Sequence, residues 1–165
     1  MYFLKLTFLA SLLLATSAEN IGQHNTFQPT QHESLIPVLS SNRTYKIISI
    51  DQKTWFGALH ACHFMGLELA SITSKEDEEN LAQVIKDECI ALSSRWWISG
   101  NDLDTEESFF WASNGHPFTY TNWEVGQPNH SNHDQRCVYI VVHIGTDPVW
   151  NDYNCYNKYR FICEI

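Results

Sequence analysis

The stretch Asn122-Trp123-Glu124-Val125-Gly126-Gln127-Pro128-Asn129-His130-Ser131-Asn132-His133-Asp134-Gln135-Arg136, followed by Cys137 and the apolar run Val138 to Ile144, decides how this chain is read. A long polar segment without helical or strand periodicity runs straight into a β-forming one. Long structureless loops in compact domains are usually functional, because scaffolds display their binding groups on loops. Further along, Trp150-Asn151-Asp152, Cys155 and Tyr159 to Cys163 repeat the alternation of short apolar runs with Asn and Asp clusters. Upstream, Trp96-Trp97-Ile98 and Phe109-Phe110-Trp111 do the same. These are strands joined by long loops.

Before Ser93 the pattern is different. Lys53 to Met65 places Trp55, Ala58, Leu59, Cys62 and Met65 at three- and four-residue spacing, which predicts an amphipathic helix that Gly66 ends. Ser74, followed by Asp77 and Glu78, predicts an N-cap and a second helix to about Glu88. Tyr45 to Ile50 reads as a strand. Residues 1–18, with Lys5, an apolar core from Leu6 to Ala15 and small residues at Thr16, Ser17 and Ala18, read as a secretory signal peptide. Residues 19–44 read as a flexible polar arm carrying the glycosylation sequon Asn42-Arg43-Thr44. The expectation is a secreted, extracellular α+β domain over 45–165: two helices, then small antiparallel β-sheets with long loops. The oxidising compartment predicts disulfides. The net charge of −9 disfavours nucleic acid and anionic membrane surfaces as partners. Most of the acidic excess lies in residues 75–88 and 102–107.

Taken in order, the Cys62 helix, Trp97-Ile98-Ser99-Gly100, Phe110-Trp111, Asn122-Trp123, Gln127-Pro128-Asn129, Cys137, Trp150-Asn151-Asp152, Cys155 and Phe161-Ile162-Cys163 resemble a C-type lectin-like domain. The chain is most similar to the small secreted insect lectins of that family. The resemblance covers about residues 45 to 165. It implies a disulfide-stapled fold with Cys62 paired to Cys163 and Cys137 to Cys155. The odd cysteine, Cys89, reads either as a half-buried thiol at the end of the second helix or as the link of a disulfide-bonded dimer.

Lectins of this kind hold one calcium ion in the long loop, and the ion ligates two neighbouring sugar hydroxyls. The resemblance therefore implies Gln127, Asn129, Gln135, Asn151 and Asp152 as metal ligands. It implies a cis Pro128, and Gln127, Asn129, Asp134, Gln135 and Asn151 as the carbohydrate-binding set. Mannose-type members carry a carboxylate at the position of Gln127, and most members carry one at that of Gln135. With amides at both, Asp152 is the one charged ligand unless a one-residue shift brings in Asp134. Calcium affinity follows the carboxylate count, so weak binding is expected, roughly 10⁻⁴–10⁻³ M. An amide whose oxygen faces the ion offers only N–H donors to the sugar, which leaves the hydroxyl protons without acceptors. Two functions stay open: calcium-dependent binding of surface glycans of galactose or mannose type, with innate recognition of microbes as the role it suggests, or a calcium-independent, protein-binding lectin-like domain with a degenerate sugar site.

The family's second calcium position has Asp102 and Glu106 in place, but His130 and Arg136 stand where acids are needed, so no second ion is expected. The sequon Asn129-His130-Ser131 falls on a proposed ligand, in a tight loop expected to escape modification. Neither the His60/His63 nor the His130/His133 pair has a completing Cys or carboxylate for zinc. Trp55, Trp97, Trp111 and Trp123 read as core, and Trp96, facing the other way, as part of an exposed contact patch. No nucleophile elbow, phosphate loop or His-Glu-x-x-His motif is present, so an enzyme is not expected.

Overall fold

The computed structural model describes residues 43–88, 94–143 and 146–165. The readings of the leader, the arm, Asn42 and Cys89 lie outside the described residues. In chain order the elements are β1 (Tyr45–Lys53), α1 (Trp55–Phe64), β2 (Glu68–Leu69), α2 (Lys75–Asp87), β3 (Arg95–Asn101), β4 (Phe110–Trp111), β5 (Gln135–Val141), β6 (Val149–Asn154) and β7 (Tyr159–Glu164).

Both helices start on side-chain caps. Thr54 accepts a hydrogen bond from the Gly57 N–H at 3.1 Å, and Ser74 accepts one from the Asp77 N–H at 3.1 Å. The first helix is shorter than the periodicity predicts, because Thr54 takes the cap and Gly66, at φ +73°, turns the chain in the left-handed region. The acids Glu76, Asp77 and Glu78 sit in the first turn of α2, against the positive end of its dipole.

The strands form one seven-stranded sheet in the order β1-β7-β3-β5-β6, with β2 on β7 and β4 on β3. Most pairings are antiparallel, but β3 and β7 run parallel, Trp96 opposite Arg160 and Trp97 opposite Phe161. The small antiparallel sheets expected from the sequence are thus joined through one parallel pairing into a mixed sheet. Alternation along β3 sends Trp96 and Trp97 to opposite faces, as expected. Trp96 nevertheless is not exposed: both indoles are fully buried. The reason is position, since β3 lies inside the sheet and both of its faces are covered. Trp96 joins Ile98, Trp111, Trp150, Leu81 and Ile85 in one core. Trp97 joins Trp55, Tyr139, Phe161 and all four bridged cysteines in the other. Trp123, read as core, is only partly buried and packs on the edge of the first.

The second core carries both staples. Cys62–Cys163 joins α1 to β7 across 101 residues, and Cys137–Cys155 joins β5 to the turn after β6 across 18, the pairing that the resemblance implied. A bridge spanning about 100 residues removes up to about 4.7 kcal/mol of loop entropy from the unfolded chain. The first core supports the loops through stacked aromatics. Phe118 lies on Trp111 with ring centroids 4.1 Å apart, and a Cβ at Gly100 would come within 2.6 Å of the Phe118 ring. Only a glycine on β3 lets that ring close over the sheet.

Candidate functional site

The long loop runs from β4 to β5 over one end of the sheet. Its tip passes through the left-handed region at His130, Asn132 and His133. Beneath it lie two polar clusters that meet at Asp152.

The first cluster centres on Asp102, fully buried just after β3. Arg136 donates from Nε to Asp102 Oδ1 at 2.9 Å, and its terminal nitrogen donates to the Asp102 carbonyl. The Glu107 N–H donates to Asp102 Oδ2 at 2.8 Å. His130 Nδ1 sits between two carboxylates, 3.7 Å from Asp102 Oδ2 and 3.5 Å from Asp152 Oδ2. Glu106 is 3.0 Å from His133 Nδ1, a hydrogen bond that holds its carboxyl below the usual range. The protein's own basic side chains thus face the acids of the family's second cation position, the arrangement on which the expectation of no second ion rests.

The second cluster holds the proposed ligands. The Gln127–Pro128 peptide is cis. Gln127 Oε1 is buried without a hydrogen-bond partner. Asn129 Oδ1 and Gln135 Oε1 both accept from the same Ser131 N–H, at 2.9 and 3.0 Å, so two amide oxygens from separate parts of the loop converge. Asp152, fully buried on β6, accepts from the Asn129 and His130 N–H groups at 3.1 and 2.8 Å. Asn151 beside it is buried and gives its NH₂ to Glu124 Oε2 at 2.9 Å. Its carbonyl oxygen is left as the other branch of the amide. Asp134 is exposed, and its Oδ2 accepts from Asn154 at 2.8 Å.

A hard cation takes oxygen ligands, and the donor types fit: amide oxygens from Gln127, Asn129, Gln135 and Asn151 and a carboxylate from Asp152. Gln127 Oε1 is one of five buried side-chain atoms without a hydrogen-bond partner among the described residues, with Glu78 Oε1, His130 Nδ1 and the indole nitrogens of Trp96 and Trp111, and it is the one that falls on a proposed ligand; a buried acceptor left so costs about 1–3 kcal/mol. The set is poor in charge. Among the described residues no three His, Cys, Asp or Glu side chains gather as a metal site.

Two carboxylates of the site carry no signal in sequence spacing. Glu124, in the stretch quoted first, reaches Asn151 across 27 positions, and its Oε1 lies 2.8 Å from His143 Nε2. The bonds from Asn151 and His143 hold its carboxyl below the usual range against a partial burial that raises it. Glu78 on α2 accepts from Trp150 Nε1 at 2.9 Å. Burial pushes Glu78 up to about 7.

A two-helix, mixed-sheet domain with two staples and an oxygen-rich loop over one sheet end defines a lectin-type binding module. Residues 51–165 match the family model described as the Lectin C-type domain, and the chain belongs to that family. It is a binding domain rather than an enzyme. Among its relatives, salivary C-type lectin 2 of Aedes albopictus is 31% identical over 115 residues, 67% of this chain and 76% of the relative. A C-type lectin described as a mannose-binding isoform, from Oxyuranus scutellatus, is 34% identical over 122 residues, 73% of this chain and 75% of the relative. Among solved structures, the carbohydrate-recognition domain of the mouse scavenger receptor C-type lectin superposes with a TM-score of 0.62 at 28% identity, covering 76% of this chain and 91% of that one. Among the described residues no helix is long and apolar enough to cross a membrane.

Proposed function

We propose that the chain is a secreted lectin that binds surface glycans, microbial or host, through one weakly held calcium ion in the long loop. Gln127, Asn129, Gln135, Asn151 and Asp152 would hold the ion, which supplies coordination to two neighbouring sugar hydroxyls when bound. The observation that carries this reading is the buried, unpartnered Gln127 Oε1; the Asn129 and Gln135 oxygens meet each other on the Ser131 N–H. Support for a sugar ligand comes from the relatives, one described as mannose-binding and one as a carbohydrate-recognition domain. Support for secretion comes from the leader-like residues 1–18 and the salivary relative. In this reading 45–165 is the functional domain, 19–44 a flexible arm, Asn42 a glycosylation site and Cys89 either a half-buried thiol or the link of a dimer that would pair weak sites. Paired sites raise avidity without new contacts.

A glycan array read with calcium and with EGTA tests the proposal. Retention on a restricted set of sugars, lost in EGTA, is the expected result. Retention indifferent to the chelator, or on no sugar at all, overturns it and favours a calcium-independent, protein-binding domain.

A further inference from the structure

The amide-rich ligand set leaves a gap in the hydrogen-bond inventory. A hydroxyl coordinated to a cation still has a proton to donate, and an amide that turns its oxygen to the cation presents only N–H groups to the ligand. Gln127 and Gln135 are amides, and Asp152 already accepts two backbone N–H groups. The Asp134 carboxylate is exposed and its Oδ2 holds Asn154, whereas Asn151 is held by Glu124.

Glu124 stands where an acceptor is missing. Its Oε2 takes the Nδ2 of Asn151 at 2.9 Å, which fixes the amide with its NH₂ on Glu124 and its oxygen on the other branch. Its Oε1 is fastened to His143 Nε2 at 2.8 Å. The backbone is clamped as well: the Glu124 N–H donates to the Trp150 carbonyl and the Glu124 carbonyl accepts from the Gln127 N–H, at 2.8 and 2.9 Å. One residue is therefore tied both to β6, which carries Asn151 and Asp152, and to the turn that carries Gln127. Its side chain is 32% exposed, so carboxylate lone pairs remain open to a ligand beside Asn151. A planar amide carries two N–H bonds. With one of the Asn151 pair on Glu124, a hydroxyl meeting the other lies next to that carboxylate.

We propose that Glu124 is the anionic acceptor of the sugar site: it orients the Asn151 amide and accepts the hydrogen bond of one hydroxyl from a bound vicinal diol. The inference rests on the calcium-dependent sugar reading, and the two fail separately.

The test uses the mature chain, calcium titrations followed by tryptophan fluorescence, and methyl α-mannoside and methyl β-galactoside as probes. Glu124→Gln keeps the shape and an oxygen for Asn151 but removes the charge. Its expected effect is a loss of sugar affinity of about tenfold or more, the size of one hydrogen bond to a charged group, with calcium affinity within about twofold of the wild type. Adding Gln127→Glu to Glu124→Gln restores sugar binding by returning a carboxylate to the site. His143→Ala, at an exposed position, gives a smaller loss in the same direction. Sugar affinity unchanged in Glu124→Gln overturns the inference. So does an equal fall in calcium affinity, which would put Glu124 on the ion. A wild-type chain that binds calcium but neither probe overturns the sugar reading itself, and the inference with it.

Discussion

Three buried oxygen groups, on Asp102, Glu78 and Gln127, differ in their partners. Asp102, fully buried, has the Arg136 guanidinium bonded to it and His130 beside it. Glu78, almost as deeply buried, takes the indole N–H of Trp150 on Oε2 while its Oε1 has no partner, and among the described residues no cation stands at ion-pair distance. Gln127 Oε1 has no partner. On the Asp102 side, the closed one, the chain itself provides a counter-charge in Arg136, with His130 Nδ1 close by but without a hydrogen-bond partner. On the Gln127 side, the open one, no basic side chain is bonded to the amide oxygen. A buried charge persists when paired, a buried lone carboxylate stays neutral until the pH forces it, and a buried lone acceptor is kept where a ligand completes it. In the proposed function the Asp102 side is structural and the Gln127 side is the one that binds.

The largest effect is expected from breaking the closed side. Arg136→Met leaves Asp102 buried without its counter-charge and should cost about 3 kcal/mol, at the lower end for a buried pair because the Arg136 side chain is 20% exposed. Urea unfolding measures it. A loss below about 1 kcal/mol would mean that Arg136 is a surface ion pair and the closed side is not closed.

Next comes the buried carboxyl of Glu78. Its folded-state pKa is raised by burial to about 7, above the 4.5 of a free glutamate. The folded state therefore holds more protons between those values, so stability is fully present below about 4.5 and falls as the pH rises through about 7. The stability lost is on the order of 2–3 kcal/mol. Glu78→Gln keeps an acceptor for Trp150 and should flatten that slope. Unfolding curves at several pH values, compared between the two proteins, decide it, and identical slopes would show that the raised pKa is not felt in stability.

The smallest effect sharpens the open side. Gln127→Glu with Gln135→Glu adds two carboxylates to the candidate ligand set and should raise calcium affinity about tenfold or more, about 1.4 kcal/mol. Calorimetry reads the change. No gain would remove these two positions from the ligand set.

The closed and open sides were unequally legible. The basic residues at 130 and 136 are visible in the sequence beside the acids at 102 and 106, since the resemblance aligns them and charge type needs no coordinates. The amides of the proposed ligand set are visible in the same way. Glu124 was not, although it lies in the first stretch quoted, because its partner Asn151 is 27 positions away and only the adjacency of the loop to β6 joins them. Trp96 was misread for a related reason: alternation says which way a side chain points, but not whether anything lies on that side.

The sequence by itself determined the two helices with their caps, the strand-rich second half, the family, and through it the disulfide pairing and the amide character of the loop. These rest on local periodicity, on cap chemistry and on an ordered set of residues, all of which survive without a third dimension. Only the tertiary structure decided that both faces of β3 are buried, that Arg136 meets Asp102, that Gln127 is left with an unpartnered oxygen and that Glu124 clasps Asn151. Each of these depends on which chain segments come side by side. Burial and hydrogen-bond satisfaction are properties of neighbours in space, and the sheet order β1-β7-β3-β5-β6 sets those neighbours.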